Sequence, residues 1–82
     1  MAASKEQIGK WIERGIENGA THMIVVYDSW DYEDYPVYVY KHQSASAEVD
    51  ARNGRDMLRV MEVYNLSMDI VSQLKEYRAW NV

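Results

Sequence analysis

The sequence has no cysteine, which excludes a disulfide framework and any zinc site built from thiolates, and which is typical of a reducing compartment. It also has no phenylalanine, although 7 tyrosines and 3 tryptophans are present. Every large aromatic ring in the chain therefore carries a polar atom. Such rings are enriched at protein interfaces, where one end is buried and the other stays in water.

Long apolar runs are missing as well. No stretch approaches the roughly 18 apolar residues that cross a membrane, and the opening Met-Ala-Ala-Ser-Lys-Glu lacks the apolar segment of a signal peptide. We therefore expect a cytoplasmic protein that does not associate with membranes.

The net charge of −4 opposes nonspecific binding to nucleic acid. With 48% hydrophobic residues among 82, the composition predicts one small folded domain, residues 1–82.

Two strands are predicted on either side of an acidic segment. Residues 21–27 are β-branched and apolar, and residues 37–41 alternate valine with tyrosine. Pro36 opens the second strand, where a missing N–H does least harm. An antiparallel hairpin that folds about Tyr32 follows from this arrangement.

This fold places His22 opposite His42 and divides the hairpin side chains between two faces. We expect helices to cover the first face, which carries Met23, Val25, Tyr27, Val37 and Val39. The second face carries Ile24, Val26, Tyr38, Tyr40 and both histidines. Because the tyrosine hydroxyls need polar partners, we interpret this second face as a contact surface for another subunit or a target.

A helix is predicted before the hairpin. Ser4 and Gln7 form a capping box for a helix from Lys5 to Asn18, which Gly19 ends. Gly15 shares a helical face with apolar residues. This position indicates a close approach of the helix backbone to the sheet.

Further helices are predicted after the hairpin. A short one falls within residues 43–52, capped by Ser44 or Ser46, and a second one begins near Arg55. A last helix takes Ser67 as its N-cap. The apolar stripe of the second one is Met57, Val60, Met61 and Tyr64. We interpret that stripe as core rather than as a cofactor site, because methionine fills irregular gaps.

The predicted fold class is therefore α+β: an N-terminal helix, a two-stranded antiparallel hairpin and two to three short helices in one domain. Two strands alone make a poor sheet. We therefore predict a homodimer, which either covers the face of Tyr38 and Tyr40 or extends the sheet across a two-fold axis.

The link from Asp28 to Pro36 is the main candidate for a functional site, because long loops in compact domains are often functional. Its rings would anchor a partner and its carboxylates would steer association. The predicted partner-binding residues are Trp30, Asp31, Tyr32, Glu33, Asp34, Tyr35, Tyr38 and Tyr40.

Metal binding is the alternative reading of two groups in this region. Asp28, Asp31, Glu33 and Asp34 offer several oxygens, but the central glycine and the final glutamate of an EF-hand are missing. His22 and His42 supply two ligands without a third. We therefore predict no metal and no cofactor.

A different alternative is a small anionic ligand, such as a nucleotide. Arg52, Arg55 and Arg59 cluster around Gly54 at the start of a predicted helix, where backbone N–H groups favour anions. Tyrosine rings would stack on the base. Pairing of these arginines with Asp56 and Glu62 explains them more simply.

The sequence does not predict an enzyme. It has no thiol nucleophile and no Gly-x-Ser-x-Gly motif, and its serines lie where turns and caps need them. A domain of this size also has little volume for a deep cleft between two carboxylates.

The segments GATHMIVV (19–26), DYEDYPVYV (31–39), RDMLRVMEVYNLSMDI (55–70) and LKEYRAW (74–80) together resemble a family of small uncharacterised proteins of phages and prophage-bearing bacterial genomes. The resemblance implies a viral or mobile-element setting. By analogy with that setting, we expect a non-enzymatic protein that binds and blocks a host protein, for example in a defence system. The alternatives are an oligomeric nucleotide-binding protein and a structural or assembly component.

Overall fold

The computed structural model describes residues 4–82, so residues 1–3 of the predicted 1–82 domain lie outside the described residues. Its six elements are α1 (Lys5–Glu17), β1 (His22–Asp28), β2 (Glu33–Val39), α2 (Ala45–Arg52), β3 (Leu58–Asn65) and α3 (Ile70–Lys75). The strands form one antiparallel sheet in the order β2-β1-β3. The coarse α+β prediction is confirmed, whereas the two-stranded hairpin is wrong because a third strand pairs with β1.

The first two helices begin where the sequence predicts. Ser4 caps α1 by accepting a hydrogen bond from the backbone N–H of Gln7, and Ser44 caps α2 by accepting one from Ala47. The last helix begins later than predicted, because Asp69 rather than Ser67 is its N-cap and accepts from the N–H of Val71 at 3.2 Å.

Strand β3 replaces the helix predicted after Arg55. A bulge explains the error. Val25 pairs with Glu62 while Val26 pairs with Val60, so Met61 is an extra residue on β3. The bulge places apolar residues of one face three positions apart, as at Val60 and Val63, and that spacing imitates a helix.

The register between β1 and β2 also differs from the predicted one. His22 lies opposite Val39 rather than His42, and Met23 lies opposite Tyr38. This is a shift of three residues, an odd number, so Tyr38 moves to the face that the prediction assigned to Val37 and Val39. The link between the strands shortens to residues 29–32, and Pro36 lies inside edge strand β2 instead of opening it.

Helices cover both faces of the sheet. On one face α1 buries Ile8 and Ile12 against Met23, Val25 and Tyr64. On the opposite face α2 buries two residues, Ala45 and Val49, against a second apolar cluster. The sheet members of that cluster are Ile24, Val26, Val39, Val60 and Val63. Both faces of the sheet are thus used as core.

Candidate functional site

Two turns meet at one end of the sheet. Residues 29–32 join β1 to β2, and residues 53–57 lead into β3. Ser29 connects them, because its backbone N–H and its hydroxyl both donate to the carbonyl oxygen of Met57, at 2.9 and 2.7 Å. We call these two turns, residues 29–32 and 53–57, the tip.

The tip exposes three large side chains. The exposed fraction is 74% for Trp30, 74% for Tyr32 and 55% for Met57. Isolated apolar residues are common on protein surfaces, but two aromatic rings and a methionine on adjoining turns form the kind of patch that marks interaction sites.

The backbone of the tip has positive φ angles at three non-glycine residues. Tyr32, Asp56 and Met57 have φ angles of 56°, 50° and 67°, and among the described residues they are the only non-glycine positions with positive φ. A bulky side chain in this region costs on the order of 1–3 kcal/mol. Such strain persists where the surrounding structure imposes it, and it tends to occur at functional sites.

Local hydrogen bonds hold this strained backbone. A side-chain oxygen of Asp28 accepts from the N–H of Trp30 at 2.9 Å, which fixes the start of the first turn. In the second turn, the N–H of Gly54 donates to the carbonyl of Leu58 at 2.9 Å. Trp30 and Tyr32 therefore project from a defined backbone, and little chain entropy remains to be lost when they bind.

Charge around the tip is mixed, with an acidic excess. Four carboxylates lie in or next to the two turns, and two arginines accompany them. These residues are Asp28, Asp31, Glu33, Asp56, Arg55 and Arg59. The carboxylates next to Trp30 and Tyr32 favour a partner with positive charge at these rings, because opposite potentials steer association. Arg59 lies on β3 opposite Tyr27.

The structure brings together half of the predicted partner-binding residues. Trp30, Asp31, Tyr32 and Glu33 are all exposed at the tip. The other four lie elsewhere, on β2 or just after it.

Among these four, Tyr38 is the clearest correction. Its hydroxyl donates to the backbone carbonyl of Trp11 at 2.8 Å, and its ring packs beside Gly15 beneath α1. Burial raises the pKa of Tyr38. This half-buried tyrosine packs against the core beneath α1, and the interpretation of its face as an open contact surface is wrong.

Asp34, Tyr35 and Tyr40 are partly buried. Tyr35 packs against the apolar cluster beneath α2, and Asp34 lies within β2 opposite Tyr27. Tyr40 follows β2, where its backbone N–H donates to the side chain of Gln43 at 3.0 Å. None of the three adds a large exposed ring to the tip.

Met57 is the functional candidate that the sequence analysis missed. The sequence assigned it to a buried helical stripe, whereas it is exposed and lies at positive φ. The dipeptide Asn53-Gly54 was the available signal, since it is a strong indicator of a turn before a strand.

The three arginines of the alternative ligand site do not form one cluster at a helix N-terminus. Gly54 is followed by a turn and β3 instead of a helix, so the predicted anion site there is wrong. Arg52 is engaged by Glu48, with 2.8 Å between the guanidinium and the carboxylate. Arg55 and Arg59 are exposed near the tip.

The histidine pair is also separated. His22 begins β1 opposite Val39, and His42 lies in the exposed turn after β2. Within residues 4–82, no group of three or more histidine, aspartate or glutamate side chains is arranged to hold a metal ion.

No protein-family model, curated protein or solved structure matches this chain. The resemblance to small phage proteins stays a prediction. In the part of the chain that the structure describes, no helix has the length and apolar character required to cross a membrane.

Proposed function

We propose that this protein is a non-enzymatic binding module that docks on another protein through its tip. The observation that carries the proposal is the exposure of Trp30, Tyr32 and Met57 on adjoining, hydrogen-bonded turns. Tryptophan and tyrosine are the residues most enriched among interface hot spots. Rings that are exposed in the free protein and fixed by their backbone are well suited to fill pockets on a partner.

The carboxylates around the rings suggest what that partner is like. Asp31 and Glu33 flank Tyr32, and Asp28 lies at the base of the same turn. A basic surface on the partner would be attracted to this end of the molecule and would associate faster at low salt.

The phage-type resemblance supports a specific setting for this activity. We propose a host protein in the cytoplasm, such as a component of a defence system, as the partner that the tip occupies and blocks. The absence of cysteine and the overall acidic charge are compatible with that setting.

The test uses a photoreactive amino acid at position 30, with the same amino acid at position 77 as the matched control. Tyr77 is a fully exposed ring of similar type outside the tip. We expect crosslinking of one host protein from position 30 and not from position 77. The double variant Trp30→Ala/Tyr32→Ala should lose binding of that protein by about tenfold or more, and Tyr77→Ala should leave it unchanged.

The proposal fails if the purified partner binds the double variant as tightly as the wild type. Because both rings are largely exposed, the double variant should keep its free energy of unfolding within about 1 kcal/mol of wild type. A folding defect would therefore not imitate the loss of binding.

Self-association remains a prediction with a different basis. The third strand comes from the same chain, so a partner subunit is no longer needed to complete the sheet. Tyr38 is covered by α1, which leaves extension of the sheet along the edge strand β2 as the proposed dimer geometry. Sedimentation at micromolar concentration should show a dimer, and a monomer alone would contradict this geometry.

A further inference from the structure

A cavity of about 310 Å³ opens beside the tip, on the side of Tyr27. Its lining is Tyr27, Ser29, Gly54, Met57, Leu58 and Arg59. Tyr27 on β1 and Arg59 on β3 are direct cross-strand neighbours, so their side chains emerge on the same face of the sheet. The cavity therefore combines a phenol, a guanidinium and an apolar wall from Met57 and Leu58.

The polar groups of this cavity are not used by the fold. Among residues 4–82, neither the Tyr27 hydroxyl nor the Arg59 guanidinium has a hydrogen-bond or ion-pair partner, and Arg59 is exposed. Ser29, by contrast, already donates its hydroxyl hydrogen bond to the carbonyl oxygen of Met57. Two strong donors thus remain available at a concave site.

A second cavity differs in this respect. It has a volume of about 370 Å³, and both of its cationic residues already have structural partners. Lys5 donates to the carbonyl of Leu74, and Arg78 donates to the carbonyls of Val60 and Met61, each at 2.8 Å. Binding an anion there would compete with contacts that hold the fold.

We infer that the cavity between Tyr27 and Arg59 binds an oxyanion, a carboxylate or a phosphate, that is carried on an aromatic or apolar group. A guanidinium binds either oxyanion through two parallel hydrogen bonds, and the phenol supplies a third donor. The walls of Met57 and Leu58 accommodate the ring. The cavity volume is at the lower end of the range for small-molecule sites, roughly 300–1,000 Å³.

This inference goes beyond the proposed function. The cavity shares Met57 with the exposed patch of the tip, but neither Trp30 nor Tyr32 lines it. It also replaces the sequence-based arginine cluster with a different set. Only Arg59 of the three arginines lines the cavity. Tyr27, which was predicted to lie on a face covered by helices, lines the cavity together with Arg59.

The test is a titration of the isotope-labelled protein by NMR with phenyl phosphate, phenylacetate, inorganic phosphate and benzyl alcohol. We expect phenyl phosphate or phenylacetate to shift the amide signals of Tyr27, Ser29, Gly54 and Arg59. The expected dissociation constant is on the order of 1–10 mM, the range for a fragment of this size. The aromatic probe that binds more tightly identifies the oxyanion. Weaker binding of inorganic phosphate, which has no ring, and of benzyl alcohol, which has no anionic group, shows that ring and anion both contribute.

Arg59→Ala should weaken binding of the better probe by about tenfold or more, and Arg59→Lys should also weaken it because lysine lacks the planar fork. Arg55→Ala is the matched control, since Arg55 is exposed in the tip just before β3 but does not line the cavity. Equal weakening by both alanine variants would overturn the inference in favour of nonspecific charge attraction. Absence of shifts at these amides up to about 20 mM probe would overturn it as well.

The double variant Trp30→Ala/Tyr32→Ala separates this inference from the proposed function. It should bind the probe like wild type while losing the protein partner. Failure of partner binding therefore leaves the ligand site intact, and failure of probe binding leaves the partner proposal intact.

Discussion

At the scale of single residues, His22 is held in one tautomer by its neighbour. The hydroxyl of Thr21 donates its only proton to the carbonyl of Val39 at 3.1 Å. The contact of 3.0 Å between that hydroxyl and Nδ1 of His22 must then use a proton from the ring. Nε2 is left unprotonated, buried and without a hydrogen-bond partner among the described residues.

This arrangement predicts a pH-dependent stability. Burial lowers the pKa of His22 from 6.5, so the folded protein binds this proton less readily than the unfolded chain. As the pH falls below about 6.5, unfolding takes up the proton and the free energy of unfolding decreases. Urea denaturation from about pH 7.5 to about pH 5 should therefore show a larger loss of stability for wild type than for His22→Gln.

His42→Gln provides the matched control, because His42 is exposed in a turn. Its loss of stability over the same pH range should equal that of wild type. All other groups are common to the three proteins, so their contribution cancels in the comparison. If His22→Gln keeps the full wild-type pH dependence, the buried Nε2 is not its source.

At the scale of elements, α1 approaches the sheet at a glycine. A Cβ atom built at Gly15 would lie 2.8 Å from a ring carbon of Tyr38 and 2.9 Å from a methyl group of Leu66. The expected close approach of helix to sheet is thus confirmed. At Gly9, on the same helix, a Cβ atom would meet nothing within 4 Å.

These two glycines should respond to alanine in opposite directions. Gly9→Ala should stabilise the protein by up to about 1 kcal/mol, because alanine is the better helix former. Gly15→Ala should destabilise it by about 1–3 kcal/mol, since the crowding of Tyr38 exceeds the gain in helix propensity. Urea denaturation of both variants measures the two signs, and stabilisation by Gly15→Ala would show that α1 packs less closely than described.

The elements also show how far sequence patterns reach. The caps of the first two helices and the strand at β1 are local features, and the sequence predicts them. The helical interpretation of residues 57–64 failed because the bulge at Met61 gives a strand the spacing of a helix. The predicted register of β2 was wrong because the alternating residues Val37, Tyr38 and Val39 suit either face of a sheet that is buried on both sides.

The residues of the candidate site also divide into those set by local sequence and those set by contacts between distant parts of the chain. Trp30 and Tyr32 are recognisable as turn residues from the surrounding polar sequence, so their exposure was predictable. Met57 and the pairing of Tyr27 with Arg59 depend on the third strand, which comes from residues about 30 positions away. Contacts of this kind are set by tertiary structure rather than by local pattern.

At the scale of the whole molecule, the two edges of the sheet are treated differently. The outer edge of β3 is closed by the C-terminal segment: Val63 donates to Ala79 at 2.9 Å, and Asn81 donates back to Val63 at 3.0 Å. Gln73, which is 1% exposed, pairs with both the N–H and the carbonyl of Asn65. Among the described residues the edge of β2 has no such cover, and it is the edge proposed above for the dimer.

Removal of residues 78–82 should therefore uncover the outer edge of β3, in addition to the edge of β2. The truncation deletes the donors to Val60 and Met61 from Arg78, the strand-like contacts of Ala79 and Asn81, and a fully buried core side chain at Ala79. We expect a loss of about 3 kcal/mol or more in the free energy of unfolding, because several backbone groups lose their partners. In sedimentation, the truncated protein should also associate at lower concentration than the full chain, since unpaired edge strands template further pairing.

Deletion of Val82 alone is the control for this truncation, because Val82 is half-exposed and the bonds of Asn81 with Val63 and Gln73 remain. It should change the unfolding free energy by less than about 0.5 kcal/mol. Arg78→Ala is an intermediate variant that keeps the chain and removes the two side-chain donors together with the contact of the guanidinium with the Trp80 ring. If Arg78→Ala destabilises the protein while the association state stays that of the full chain, Ala79 and Asn81 are sufficient to block the edge. Wild-type stability after the complete truncation would instead show that β3 does not need this cover.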